Sequence, residues 1–383
     1  MYITSLSKRI NHINVQYSHT VACSGYEPLP YRTGYESMIA NRTDELFSII
    51  AKEEGVIKEI TKNTLTVQYK TLGEHVYEIG TIHGIVSGTT IPHNLVCDLK
   101  VNAKFKANSI IAYNEGFFQR SEFNKETVVY KTGVIARIAL LECTVTNEDS
   151  CLVTTKLAEK LSTPTTKVYT IVLDNTQVIN NVVSIGDKID PDSILCTVSS
   201  YVEDQDKIDD ETMKALQKIS ANNPKAKMYG KVSNIECIYF CNIEDMNSSI
   251  RALIKSCDKL RGDKANKLTK PTAKTGKIDE TIQIGGRKLV EGQVVLKIYI
   301  DGEIPLGIAD KVVFANGLKS TVGGVDTESI ISVNDGKPID GFFGQTSVSA
   351  RIVLSPSIMG TANTVIKTAS KRMADIYFGN VKR

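Results

Sequence analysis

The chain has 383 residues, of which 42% are hydrophobic and 23% charged, and its formal net charge at pH 7 is +3. This size predicts more than one buried core, or one core with an inserted lobe. The small net charge excludes a uniformly basic protein that coats nucleic acid, so any basic function must lie in local patches. No apolar run reaches the ~18–20 residues of a membrane-spanning helix, and the first residues do not form the apolar part of a secretory signal. We therefore expect a protein of the cytosol or of a particle assembled there.

Alternating polar and apolar residues predict short β-strands along most of the chain. Residues Glu54–Tyr69 alternate on both sides of Lys62 and Asn63, which predicts a hairpin. The apolar run Val294–Ile300 predicts a buried strand, and four other segments carry similar strand patterns. These segments are Gly80–Val96, Val128–Leu141, Val168–Leu173 and Val182–Cys196.

Helical spacing of apolar residues is found in fewer places. The candidate helices are Thr154–Leu161, Asp209–Ile219, Asn247–Leu260 and Ala362–Phe378. In the third of these, Ile250, Leu253 and Ile254 recur at intervals of three and four. Together with the strands, this pattern predicts a β-rich α+β protein with a mixed middle lobe near residues 187–292.

Cysteine and histidine residues give no sign of a metal site. The eight cysteines include no C-x-x-C pair, and the five histidines form no H-E-x-x-H motif. Cys237 and Cys241 are the closest cysteine pair and lie in an apolar run. We expect buried thiols in a reducing compartment and no zinc.

The segment Lys259–Lys277 is rich in Lys and Arg, contains Pro271 and has little apolar content. Such a composition is typical of a solvated linker. A contact with nucleic acid or with a partner protein is the alternative reading.

Two lysines stand out near the C-terminal end. Lys311 and Lys319 lie eight residues apart around Gly317, shortly after the strand predicted for Val294–Ile300. Two cations held on a loop suit a phosphate-rich partner, although surface lysines are common in any protein. Earlier in the chain, Glu148 and Asp149 are adjacent carboxylates of the kind that usually forms a cap or turn.

Residues 309–325 and 351–366 (ADKVVFANGLKSTVGGV and RIVLSPSIMGTANTVI) resemble a segment of the β subunit of multisubunit DNA-directed RNA polymerases. In that family a strand leads into G-D-K-M-A-G-R-H-G-N-K-G-V and later into P-V-D-I-V-L-N-P. Further pieces follow in the family's order. They are Asn14–Gln16, Pro30–Glu36, Ala51–Tyr69, Asn147–Ser150, Ser184–Val198 and Gly230–Phe240.

The resemblance implies a fold and a gene organisation. The fold would be a double-psi β-barrel and sandwich-barrel hybrid core with an inserted flap-like lobe. Its parts would be residues 1–186 (the first part of the core), 187–292 (the wall or flap lobe) and 293–383 (the second part of the core and a basic helix). The chain is similar to the C-terminal fragment of a split β subunit, as in giant (phiKZ-like) bacteriophages. That source implies the host-cell cytoplasm or the virion interior.

The resemblance also assigns roles to residues. Lys311 and Lys319 would lie near phosphates of the nascent RNA 3′ end, and Glu148 and Asp149 would lie near the second Mg²⁺. Three N-terminal residues would face the RNA backbone or the incoming nucleotide: Gln16, Lys8 and Arg9.

Other positions depart from the family pattern. Ala315-Asn316 replaces an Arg-His pair, and Ala362 replaces an arginine that engages the nucleotide. The missing charge is expected from Arg351, Lys367 or a partner.

The chain contains no D-x-D-x-D motif, so we expect it to be inactive alone. Mg²⁺ would be held by a β′-like partner. The expected partners are an N-terminal β-like subunit, β′-like subunits, a promoter-specificity factor, template DNA, nascent RNA and nucleoside triphosphates, with no membrane. The alternative is a stand-alone phage protein with a similar barrel, which either binds nucleic acid or is purely structural.

Overall fold

A computed structural model describes residues 21–29, 32, 34–86, 88–122, 124–200, 223–265, 268, 276–284, 287–314, 318–327, 330–333, 336–351 and 355–379. The structure is 43% strand and 18% helix, which confirms the prediction of a β-rich α+β protein. Several sheets are present, and none of them closes as a barrel within the described ranges.

The strands are β1 (Ser48–Ile50), β2 (Gly55–Ile60), β3 (Thr64–Tyr69), β4 (Glu74–Glu78), β5 (Gly80–Val86), β6 (Thr89–Val96), β7 (Lys104–Phe105), β8 (Ile110–Asn114), β9 (Phe118–Arg120), β10 (Val128–Tyr130), β11 (Ile138–Leu140), β12 (Ser150–Thr154), β13 (Thr163–Asp174), β14 (Gln177–Val182), β15 (Lys188–Ile189), β16 (Cys196–Ser200), β17 (Gly230–Phe240), β18 (Gly276–Lys277), β19 (Gln283–Ile284), β20 (Arg287–Lys288), β21 (Gln293–Ile304), β22 (Lys311–Phe314), β23 (Leu318–Asp326) and β24 (Gly341–Phe343). The α-helices are α1 (Thr155–Lys160), α2 (Ser248–Ala265), α3 (Gln345–Arg351) and α4 (Ser355–Tyr377). Short 3₁₀ helices cover Tyr35–Ser37, Ile39–Arg42 and Ile243–Asp245.

The chain forms two compact units, each assembled from separate segments. Unit 1 comprises residues 1–50, 108–163 and 304–383, and unit 2 comprises residues 51–107 and 164–303. The division predicted from the resemblance, at residues 186/187 and 292/293, stays a prediction.

Unit 1 is built around a five-stranded mixed sheet with the order β11-β24-β12-β23-β22. The pairs β11–β24 and β12–β23 are parallel, whereas β12–β24 and β22–β23 are antiparallel. One face of this sheet buries Cys151, Val153, Leu318, Val322 and Phe343 against α1. This sheet therefore interleaves strands from residues 138–154 with strands from residues 311–343.

Unit 2 contains a long sheet in which β6, β13, β21, β17 and β15 are neighbours in that order. Strand β5 pairs with the outer side of β6, and β18 pairs with β17. A second sheet has the order β4-β3-β2-β7 and contains the hairpin predicted around Lys62 and Asn63. Its strand β3 is almost completely buried.

Helix α2 packs on the long sheet of unit 2. Ile250 and Ile254 are 0% exposed in the same core as Val294, Leu296 and residues of β17, and Leu253 packs against this core. The spacing of three and four residues between apolar positions in the sequence thus marks the face of α2 that is buried in its own lobe. Ile250 and Ile254 are therefore not available to bind a separate partner protein.

The remaining helix predictions have different outcomes. Helix α1 matches the segment Thr154–Leu161, and α4 begins seven residues before the predicted Ala362. The predicted helix Asp209–Ile219 lies outside the described residues. Among the helices that the structure describes, none is both long and apolar enough to cross a membrane.

Candidate functional site

Lys311 and Lys319 lie on the paired strands β22 and β23, and not on a loop as the sequence suggested. In this antiparallel pair Lys311 is opposite Thr321, and Lys319 is opposite Val313. Both lysines are exposed. Since Lys319 is two residues from the partner of Lys311, the two are diagonal neighbours, for which ~7–8 Å is typical. The hairpin therefore carries two ammonium groups on one side.

The other side of the same hairpin anchors it to unit 1. Val312 and Phe314 pack against the core, and Leu318 is only 2% exposed. The rings of Phe314 and Phe343 lie 5.1 Å apart between centroids. Because alternate residues of a strand point to opposite faces, this packing fixes the lysines on the outer side.

Glu148 and Asp149 form a turn that ends where β12 begins, as the sequence predicted. The main-chain carbonyl of Asp149 accepts hydrogen bonds from the Thr321 amide (2.9 Å) and the Ser320 hydroxyl (2.8 Å). Both donors are on β23, next to Lys319. The main chain of this turn, which precedes Ser320 by 171 positions, is thus held against β23, and both of its carboxylate side chains are exposed.

Two main-chain features shape this acidic turn. Glu148 has a φ of 54°, in the left-handed region that a glutamate rarely adopts. Gly323 is the extra residue of a bulge between β12 and β23, and a Cβ atom there would lie 2.8 Å from the Val145 carbonyl oxygen. Only glycine lets the segment that leads into the turn approach the sheet so closely.

Thr146 organises the segment before the turn. Its side chain is 0% exposed; the hydroxyl accepts from the Cys143 amide (2.8 Å) and donates to the Leu141 carbonyl (2.8 Å). The Glu142 carboxylate accepts from the Thr346 amide (2.6 Å) at the start of α3, and this bond lowers the Glu142 pKa. The segment 142–149 is therefore tied to α3 at its start and to β23 at its end.

Thr146→Val is expected to lower the free energy of unfolding by about 2 kcal/mol, because the isosteric side chain leaves a buried amide without its acceptor. Chemical denaturation of the full chain measures the loss. Thr364→Val is the matched control: this exposed hydroxyl on α4 donates only to the Gly360 carbonyl, so the change should be within about 0.5 kcal/mol. Equal stability of the Thr146 and Thr364 variants would contradict the prediction.

The other predicted site residues lie either outside the described part of the chain or on helices α3 and α4. Gln16, Lys8 and Arg9, and also Ala315, lie outside the described residues. Ala362 and Lys367 are on α4, where Lys367 is exposed. Arg351 is the last residue of α3.

Unit 2 contains a buried polar network that sequence reasoning missed. His83 Nε2 lies 3.1 Å from Asp301 Oδ1 and 3.2 Å from Ser233 Oγ, and Thr166 Oγ1 donates to the same Asp301 oxygen (2.6 Å). The Tyr299 ring lies against His83 with centroids 4.7 Å apart. These residues come from β5, β13, β17 and β21, so no local motif could have revealed them.

Ser233, His83 and Asp301 do not have the geometry of a nucleophilic relay. In such a relay one imidazole nitrogen contacts the serine and the other contacts the carboxylate. Here both contacts are made by Nε2, and the Ser233 hydroxyl donates to the Tyr299 carbonyl (3.3 Å). The arrangement suits a structural link between strands.

Two ionisable residues of unit 2 predict how stability depends on pH: His93 on β6, and Asp301 of the network. Burial and the neighbouring His83 lower the pKa of His93. The unfolded chain then binds this proton at higher pH than the folded chain, so the free energy of unfolding should fall as pH drops below about 6.5.

Asp301 adds a second loss of stability, which occurs at lower pH. Burial acts to raise the pKa of Asp301, but hydrogen bonds from His83 and Thr166 outweigh it and lower that pKa. The contribution of Asp301 to the free energy of unfolding is therefore complete above about pH 4. This contribution is lost as pH falls through the pKa of Asp301 in the folded chain. Denaturation at stepped pH should show both losses. His93→Gln should remove only the loss of stability that occurs below about pH 6.5. An unchanged pH profile in this variant would contradict the assignment of that loss to His93.

No protein-family model matches the chain, and no curated protein matches it. In the part of the chain that the structure describes, no three His, Cys, Asp or Glu side chains are grouped so that they could hold a metal ion. The candidate site is therefore defined by its own geometry: a hairpin with two exposed lysines, and an acidic turn whose main chain is bonded to that hairpin.

Proposed function

We propose that the chain is the C-terminal part of a split β-like subunit of a multisubunit DNA-directed RNA polymerase. The observation that carries the proposal is the proximity of the Glu148–Asp149 turn to the hairpin with Lys311 and Lys319. Both segments are among the pieces that resemble the polymerase β subunit. Two motif pieces that are distant in the sequence must lie close together in the fold if they form one site.

The proposed role is to position the RNA 3′ end, the RNA–DNA hybrid and the incoming nucleotide. Lys311 and Lys319 stand close enough to bind neighbouring phosphates, and strand packing holds them there at little entropic cost. Mg²⁺ ions bound to a β′-like partner would stabilise the attacking and leaving oxygens of nucleotidyl transfer.

Glu148 and Asp149 suit a supporting role near such an ion. Carboxylate oxygens are ligands that Mg²⁺ prefers, and Mg²⁺ usually keeps several water molecules. Two carboxylates on adjacent residues are too few to form a cage. They would act through metal-bound water beside the partner's ligands.

We further propose that the five-stranded sheet of unit 1 is part of a double-psi β-barrel. Support comes from its strand order, in which two parallel pairs from distant segments are joined by the antiparallel pair β12–β24. The inserted unit 2 would then supply the wall and flap lobe.

Exposed apolar side chains support a need for partner chains. On and just after α4, Ile358, Val365, Met373 and Phe378 are each at least 60% exposed. Their burial would favour association with another subunit. The proposed partners are an N-terminal β-like chain, β′-like chains and a promoter-specificity factor, in the host-cell cytoplasm or in the virion interior.

The decisive experiment is a native pull-down of the tagged chain from its source, with partners identified by mass. We expect a partner with a D-x-D-x-D loop, and a complex that extends RNA with template, nucleoside triphosphates and Mg²⁺. A chain that elutes alone as a stable monomer would overturn the proposal. Nucleic-acid binding by that monomer would then support the stand-alone binding protein.

A further inference from the structure

Two cysteines of unit 2 are in direct contact. The Cys237 thiol on β17 donates to the sulfur of Cys257 on α2, with 3.4 Å between the sulfur atoms. Both side chains are buried, with exposed fractions of 3% and 8%. A disulfide has a sulfur separation of about 2.05 Å, so closure requires a movement of only about 1.4 Å.

The elements that carry this pair are held in register by neighbouring contacts. The Tyr239 hydroxyl on β17 donates to Asp258 Oδ2 on α2 (2.7 Å), and Arg261 lies 3.1 Å from the other oxygen of that carboxylate. Ile250 and Ile254 anchor the earlier turns of α2 in the core. These contacts hold β17 and α2 together next to the two sulfur atoms.

The two thiols also differ in acidity. The hydrogen bond between them lowers the pKa of Cys257 and, with burial, raises the pKa of Cys237. Elsewhere in the same core, burial raises the pKa of Cys196 to about 11 and also raises that of Cys241. Because the thiolate is the reactive form, Cys257 is the thiol of this core best suited to attack first.

We propose that Cys237 and Cys257 form a reversible disulfide on exposure to a peroxide, which fastens α2 to β17. The Cys257 thiolate attacks a peroxide oxygen and becomes a sulfenic acid, and the leaving hydroxide takes the Cys237 proton to give water. The Cys237 thiolate then attacks the sulfenic sulfur, and a second water is released when that oxygen is protonated. Two thiols and one hydrogen peroxide thus give one disulfide and two waters.

The test uses the full chain, together with any partner chains that copurify, treated with hydrogen peroxide and then with dithiothreitol. We expect the eight free thiols to fall to six, and non-reducing peptide mapping to find Cys237 joined to Cys257. The oxidised protein should melt about 5 °C higher, because the crosslink restricts the unfolded chain. Dithiothreitol should restore all eight thiols and the original melting temperature.

Matched variants locate the reaction. Cys257→Ala and Cys237→Ala should each abolish the crosslink and the melting shift. Cys241→Ala, just past the end of β17, should retain both. Eight thiols retained after oxidation, or a link that involves another cysteine, would overturn the proposal. These readouts do not depend on polymerase activity, so the proposed function can fail without affecting them.

Discussion

Replacing Lys311 and Lys319 together with alanine is expected to reduce RNA extension by about a hundredfold or more in the proposed polymerase complex. Hydrogen bonds to charged groups contribute about 1.5–3 kcal/mol each, which corresponds to about a tenfold to hundredfold loss per lysine. Assembly should survive, because both side chains point away from the core that holds their hairpin. Extension with a labelled primer, measured on complexes of equal subunit composition, tests the prediction.

The matched control removes two other exposed lysines from the chain. Lys58 and Lys70 pair with Glu74 and Glu54 at the surface of unit 2, and their replacement changes the net charge by the same amount. This control should extend RNA nearly normally. RNA binding by the Lys311/Lys319 variant should also depend less on salt concentration. The decrease should correspond to the loss of about two phosphate contacts. Normal extension by that variant would refute the phosphate contacts.

Ile254→Ala is expected to lower the free energy of unfolding by about 2–5 kcal/mol. The side chain is 0% exposed between α2 and the long sheet, and its truncation leaves a cavity in addition to the lost burial. Chemical denaturation of the full chain, followed by circular dichroism, measures the change.

Leu260→Ala on the same helix is the control. Leu260 is 56% exposed, so its truncation should cost less than about 1 kcal/mol. If the two variants were equally stable, α2 would not be packed as described. A helix that instead used Ile254 to hold a partner would show a loss of that partner with little loss of stability.

The sequence predicts local structure well where a single period dominates. The alternation around Lys62 and Asn63 became the hairpin β2–β3, and the spacing of Ile250 and Ile254 became the buried side of α2. The turn at Glu148–Asp149 was also found just before a strand. In each of these cases the signal lies within one element and its nearest neighbours.

The sequence failed where distant strands meet. The sequence suggests a loop for the short run Lys311–Phe314, because four residues are too few to establish a period. Its strand pairs with β23, whose other neighbour is β12. The network of His83, Asp301 and Ser233 joins residues that are up to 218 positions apart, and such pairings leave no local pattern.

The alternation of early and late strands in unit 1 has a consequence for biosynthesis. Strand β12 leaves the ribosome long before β23 and β24, the two strands that flank it. Until Leu318–Asp326 has been made, both edges of β12 are unpaired, and one edge stays open to wrong partners until Gly341–Phe343 follows. The nascent chain therefore carries an incomplete sheet through the synthesis of most of unit 2, and we expect slow folding with dependence on chaperones.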